Sequence, residues 1–127
     1  MSIPENLKYT KTDEWVKVEA KIATIGITDY AQDQLSDIVL AKIVVSVGDI
    51  LVQGKVIAAV ESAKAAADVT SPLSGKVLEV NEVVAQSPEF LNSDPYGRAW
   101  LIKIEINRLD ELNGLLDAGS YREFRKE

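Results

Sequence analysis

"VESAKAAAD", residues 60 to 68, decides how the rest of the chain is read. Ala, Glu and Lys are good helix formers, so intrinsic propensity alone points to a helix. The flanks oppose that. Upstream runs "KVIAAV", rich in β-branched residues; downstream runs "DVTSPLSGKVLEV", where Pro72 and Gly75 break the chain before an alternating strand. The room left is about one hairpin's length, and so short a helix is unstable without tertiary support. The segment is therefore expected to be a tight turn between two strands. Lys64 sits at its tip, and methyl-sized neighbours leave it unobstructed.

Outward from that turn the chain is mostly strand. "EWVKVEAKIATIGIT" predicts two strands, Glu14–Glu19 and Ile22–Ile27, joined at Ala20-Lys21, because Val16 and Val18 alternate with Lys17 and Glu19. "TDYAQDQLS" predicts a short helix with Asp29 and Gln32 as a capping box. "DIVLAKIVVSVGDIL" is β-rich with a turn at Gly48-Asp49, and another strand follows Gln53-Gly54. "SGKVLEVNEVV" and "RAWLIKIEI" read as strands, and "SPEFLNSDPYG" as a loop with one helical turn begun by Ser87 and Pro88. The tail, residues 107–127, is helical in pattern, broken near Gly114 and Gly119, with Ser120 and Glu123 as a cap. A weak repeat lays Val44–Gln53 over Val77–Gln86 and places its midpoint at residue 65, which would set the lysine turn on a quasi-twofold axis.

The composition is that of one domain, residues 1–127, with a real core: 46% of residues are hydrophobic and 27% charged. No apolar run approaches the roughly 20 residues that span a bilayer, and no targeting pattern opens the chain, so a cytoplasmic protein is expected, off the membrane. The net charge of −6, with scattered Lys and Arg, argues against nucleic acid. The chain has no Cys and no His. That removes thiolate nucleophiles, serine–histidine catalysis and the usual zinc ligands. Carboxylate or lysine chemistry, a borrowed cofactor, or binding alone remain.

A lysine on a tight turn has three readings. It is a solvated surface charge; or a Schiff-base lysine, which needs a depressed pKa that Glu61 and Asp68 would oppose; or an attachment point for a cofactor held through an amide. The third needs reach, rigidity and an accessible amine, and it lets the cofactor bring reactive atoms the chain lacks. An independent enzyme using carboxylates is a further alternative, but none of the 20 acidic residues is distinguished from the others.

Four stretches then carry a family resemblance: "LKYTKTDEWV", "IATIGITDYAQDQL", "ESAKAAADVTSPLSGKVLEVNE" and "NSDPYGRAWLIKI". In order and spacing they resemble the glycine cleavage H-protein family over nearly the whole chain. The third is similar to its lipoyl-attachment signature. The resemblance implies a mainly β fold, a barrel-sandwich hybrid (a lipoyl-domain-like flattened β-barrel) with short helices and a helical C-terminus. It implies that Lys64 carries lipoate through an amide. It implies partners: a pyridoxal-phosphate glycine decarboxylase that loads an aminomethyl group, a tetrahydrofolate-dependent aminomethyltransferase, a dihydrolipoamide dehydrogenase, and a lipoylating enzyme. The chain itself would be a non-catalytic, monomeric shuttle. Glu61 and Asp68 would flank the modified turn, and Thr12, Glu14 and Gln34 would line the cleft that shelters the loaded arm, with Glu14 holding its ammonium. No metal is implied.

The chain departs from the family pattern at named places. Asp13 stands where the family usually has His, and Ser36 where it has Gly. Lys42-Ile43-Val44 replaces a Glu-Leu-Pro run, and Arg98-Ala99 replaces an acidic residue followed by Gly. A divergent lipoyl carrier for another pathway, such as sulfur oxidation or lipoyl relay, is the alternative these departures keep open. A biotin carrier would place Met on both sides of the lysine, where this chain has Ala63 and Ala65.

Overall fold

The computed structural model describes residues 1–126. In chain order the elements are β1 (Lys8–Tyr9), β2 (Glu14–Glu19), β3 (Ile22–Ile27), α1 (Asp29–Leu35), β4 (Ile38–Ile43), β5 (Ile50–Leu51), β6 (Val56–Ser62) and β7 (Ala66–Thr70). There follow β8 (Gly75–Val80), α2 (Val83–Gln86), α3 (Phe90–Ser93), β9 (Ile102–Ile106), a 3-10 segment (Leu109–Gly114) and α4 (Ala118–Phe124). All pairings are antiparallel. One sheet runs β1-β2-β3-β9-β8-β5 and the other β4-β6-β7. The two are not hydrogen-bonded into a closed barrel. Val16, Ile25, Ile57, Leu73, Val77 and Ile104 are fully buried in the main core.

The sequence periodicity holds where one face meets water. In β2, Val18 is half-buried between exposed Lys17 and Glu19, but Glu14, Trp15 and Val16 are all buried. Both faces are covered there, because the C-terminal segment returns over the sheet. Tyr9, Trp15, Ala118 and Tyr121 form a second cluster, and the rings of Tyr9 and Tyr121 stack 4.7 Å apart. A two-residue bridge, Tyr9 with Leu116, ties that segment to β1.

Several local expectations are corrected. The cap of α1 is Thr28, whose hydroxyl accepts from the Ala31 amide, while Asp29 accepts from the Gln32 side chain inside the first turn. Val83 and Val84, expected at the end of a strand, instead begin a helical turn, Val83–Gln86, since Asn81 donates to the carbonyls of Arg98 and Trp100 and turns the chain away from the sheet. β9 begins at Ile102, after residues expected within it. Gly119 lies inside α4 and Asp117 caps that helix by accepting from the Ser120 amide; Glu127, the last residue of the expected helical tail, lies outside the described residues. The repeat is not conformational either, for Ile50–Leu51 is strand where the matched Val83–Val84 is helix. No helix among the described residues is long and apolar enough to cross a membrane.

Ser36 ends α1 at φ 66° and ψ −150°, a region almost confined to glycine. Its Cβ is strained, and its amide is nonetheless held by the carbonyls of Gln32 and Asp33. Ser36→Gly should therefore raise stability by about 1 kcal/mol, seen as a higher urea midpoint at unchanged slope.

Candidate functional site

The lysine segment is a closed hairpin tip. Ser62 and Ala65 bracket it: the Ser62 amide donates to the Ala65 carbonyl at 2.8 Å, and the Ala65 amide donates to Ser62 Oγ at 3.1 Å. Ser62 thus completes the turn that the alanines leave open, and its side chain is buried beneath it. Lys64 is exposed at the tip and makes no ion pair among the described residues.

Register places the flanking charges. Glu61 pairs with Ala66 and Leu40; Ala59, two residues earlier on the same face, pairs with Asp68 and Lys42. Glu61 and Asp68 are therefore exposed on one face of the three-stranded sheet, on diagonal positions below the turn. Lys42 shares that face. A groove of about 390 Å³ crosses it, lined by Leu40, Ala59, Ala66 and the three charged residues.

A second site lies beyond the far end of β7. Glu14 is only 3% exposed. Its Oε1 accepts from the hydroxyls of Thr10 and Thr12, each at 2.6 Å, and its Oε2 faces the Thr70 amide at 3.4 Å. Burial pushes the Glu14 carboxyl above its ordinary range; the two hydroxyl donors and the Thr70 amide pull the other way, and the Asp13 charge adds to the rise. The surrounding cleft, about 430 Å³, is walled by Gln53, Gly54, Ser71 and Pro72 on one side and Gly114, Leu115 and Leu116 on the other. A buried acid with polar neighbours and an open side is suited to hold a cation. From Lys64 to Thr70 is six residues, on the order of 20 Å along the strand.

Of the residues expected to line a docking cleft, Thr12 and Glu14 meet there. Gln34 does not. It is exposed on α1 and lines a separate cleft of about 310 Å³ with Met1, Asp29, Tyr30, Asp33 and Arg125. Sequence spacing had tied it to Glu14 only through resemblance, and α1 turns its side chain elsewhere. The structure adds two residues to these arrangements that the sequence did not single out, Thr10 against Glu14 and Ser62 beneath Lys64. Thr10 joins Thr12 at Glu14 because residues 10–13 form a turn, with the Asp13 amide donating to the Thr10 carbonyl at 3.2 Å and Asp13 at φ 71°, a geometry that strand alternation does not signal. A larger groove of about 640 Å³ between β4 and α2 contains none of the candidate site residues, though Lys42 lines it.

Trp15 is buried as core. Its indole N–H donates to the Pro95 carbonyl at 3.0 Å, and its ring lies over Gly26, where a Cβ would stand 2.6 Å from Nε1. Gly26 is thus required by close approach. Gly26→Ala should cost about 2–3 kcal/mol in urea unfolding and change Trp15 fluorescence, because the indole has no room to shift.

The glycine cleavage H-protein family model matches residues 7–127. The chain is similar to the glycine cleavage system H protein of Thermotoga maritima, with 53% identity over 117 residues, covering 92% of this chain and 94% of that protein. It is 47% identical to the protein of the same name from Carboxydothermus hydrogenoformans, over 98% of this chain and 95% of that one. The crystal structure of a glycine cleavage system H protein from Mycobacterium marinum superposes with a TM-score of 0.86 at 31% identity, covering 95% of this chain and 97% of that chain.

Proposed function

Because the chain belongs to the glycine cleavage H-protein family, we propose that it is a non-catalytic carrier that moves the aminomethyl group of glycine on a lipoyl arm amide-linked to Lys64. The observation that carries this reading is the exposed lysine at the tip of a turn closed by its own Ser62. Such a turn presents one amine to an acylating enzyme at a fixed place and lets it move no further than its own side chain allows. When bound, the lipoyl group supplies the sulfur that holds the one-carbon cargo.

The chain's own residues do the rest. Glu61 and Asp68 mark the sheet face below the turn for the lipoylating enzyme. Glu14, desolvated and fed by Thr10 and Thr12, pairs with the cargo ammonium, and the arriving positive charge favours its ionised form. The cleft walls exclude water from the labile group. The partners are the decarboxylase that loads it, the aminomethyltransferase that unloads it onto tetrahydrofolate, and the dihydrolipoamide dehydrogenase that restores the disulfide. A monomer suits docking with each in turn.

Reconstitution tests this. The chain is lipoylated, given glycine and a glycine decarboxylase, and its intact mass is followed; aminomethyltransferase and tetrahydrofolate are then added. Loading followed by unloading supports the reading. Complete lipoylation without loading, beside a control carrier that loads, would move the chain to another lipoyl pathway.

A further inference from the structure

The Glu14 carboxylate takes its two hydroxyl donors from one short turn, and that turn is fastened from the far end of the chain. Arg125, the residue after α4, forms a two-pronged ion pair with Asp13: Nε donates to Oδ1 at 2.9 Å and Nη2 to Oδ2 at 2.6 Å. The same Nη2 donates to the Lys11 carbonyl at 3.3 Å. Tyr121 Oη donates to Asp13 Oδ1 at 2.7 Å and sits 2.8 Å from the Thr28 hydroxyl. The guanidinium lies over the rings of Tyr30 and Phe124, at 4.2 and 4.6 Å.

This pair differs from the other contacts of its kind. The side chains of Arg125 and Asp13 are 21% and 16% exposed, whereas Arg122 and Glu5, paired from the same helix, are 53% and 77% exposed. Forked geometry and partial burial make it strong where surface pairs contribute little. Asp13 lies between Thr12 and Glu14 at φ 71°, so its carboxylate leaves the turn on the side facing α4.

We propose that Arg125 is a positioning residue for the cargo cleft: by clamping Asp13 and the Lys11 carbonyl it holds the turn so that both Thr10 and Thr12 hydroxyls reach Glu14. The inference rests on the reading of the Glu14 cleft as the shelter of the loaded arm. Arg125 touches neither cargo nor arm. It acts through the turn and, because Leu115 and Leu116 precede α4, it anchors the segment that forms one wall.

The test uses the full chain in two forms. In the unlipoylated protein, the NMR resonance of the Glu14 side-chain carboxyl carbon reports its hydrogen bonding. In the loaded carrier, the half-life of the aminomethyl group reports the shelter. Arg125→Gln should shift the resonance and shorten the half-life about tenfold. Arg125→Lys, which keeps the charge but not the fork, should recover part of both. Arg122→Gln, which removes the neighbouring pair from the same helix, should alter neither. If Arg125→Gln is too unstable to examine, the Arg125→Lys comparison with Arg122→Gln decides alone. An unmoved Glu14 resonance, or an equal shift in Arg122→Gln, would overturn the positioning role. A shifted resonance in Arg125→Gln, with Glu14→Gln holding cargo as long as the unmodified chain, would leave Arg125 as the positioner of Glu14 and overturn its link to the cargo.

Discussion

Lys64→Arg is expected to abolish lipoylation and every transfer that depends on it while leaving the fold intact. Arginine keeps the positive charge and the length of the side chain, so the exposed tip loses nothing structural. The change in unfolding free energy should stay within about 0.5 kcal/mol. The guanidinium, however, stays protonated above pH 12 and its electrons are delocalised, so it does not form the amide. After treatment with lipoylating enzyme and lipoate, the intact mass should be unchanged, and loading with glycine should fall to background. Modification of the Lys64→Arg chain at another lysine would contradict the assignment of Lys64. The turn carries the selectivity: Lys55 and Lys76 are exposed too, but Lys76 stands within a strand and neither is presented on a two-residue tip.

The second large effect is at Glu14. Glu14→Gln keeps the shape of the side chain and an acceptor for the Thr10 and Thr12 hydroxyls, but removes the charge. A hydrogen bond to a charged group contributes about 1.5–3 kcal/mol, so the loaded carrier should lose its aminomethyl group about 10- to 100-fold faster. The pH dependence has a definite sign. Retention in the unmodified chain should fall as pH drops and Glu14 takes up a proton, whereas in Glu14→Gln it should not follow that transition. Stability runs the other way. Burial raises the carboxyl pKa in the folded state, so the folded protein binds this proton more tightly than the unfolded one. Stability from this group is complete below the ordinary carboxyl value and is lost as pH rises through the raised one. Urea unfolding across that window should show the unmodified chain losing stability relative to Glu14→Gln. A loaded half-life equal in both proteins would remove Glu14 from the shelter.

These expectations meet in one arrangement. The lysine must be free to swing, so it stands on an exposed tip. In the proposed carrier the cargo must be kept from water, and Glu14, its proposed counter-charge, stands in a cleft whose second wall comes from another part of the chain. The ion pair of Asp13 with Arg125 joins the two ends at that wall.

The hairpin at Lys64 was legible because its determinants are local. β-branched flanks, Pro72, Gly75 and the lack of room for a helix all act within a few residues. The β2–β3 hairpin was legible for the same reason, and its bounds, Glu14–Glu19 and Ile22–Ile27, agree with the alternation. The need for positive φ at Ser36 was not visible in a serine, only its departure from the family's glycine. Thr28 rather than Asp29 capping α1 was decided by where β3 delivers the chain, and the helical turn at Val83 by the Asn81 bonds to residues beyond it in sequence. The Glu14 cleft belongs wholly to tertiary structure. Sequence order alone determined a β-rich chain with one presented lysine. Only the return of residues 114–125 over β1 and β2 supplied a wall of the cleft and set Arg125 against Asp13, because a buried charge and its supports come from segments that meet after folding.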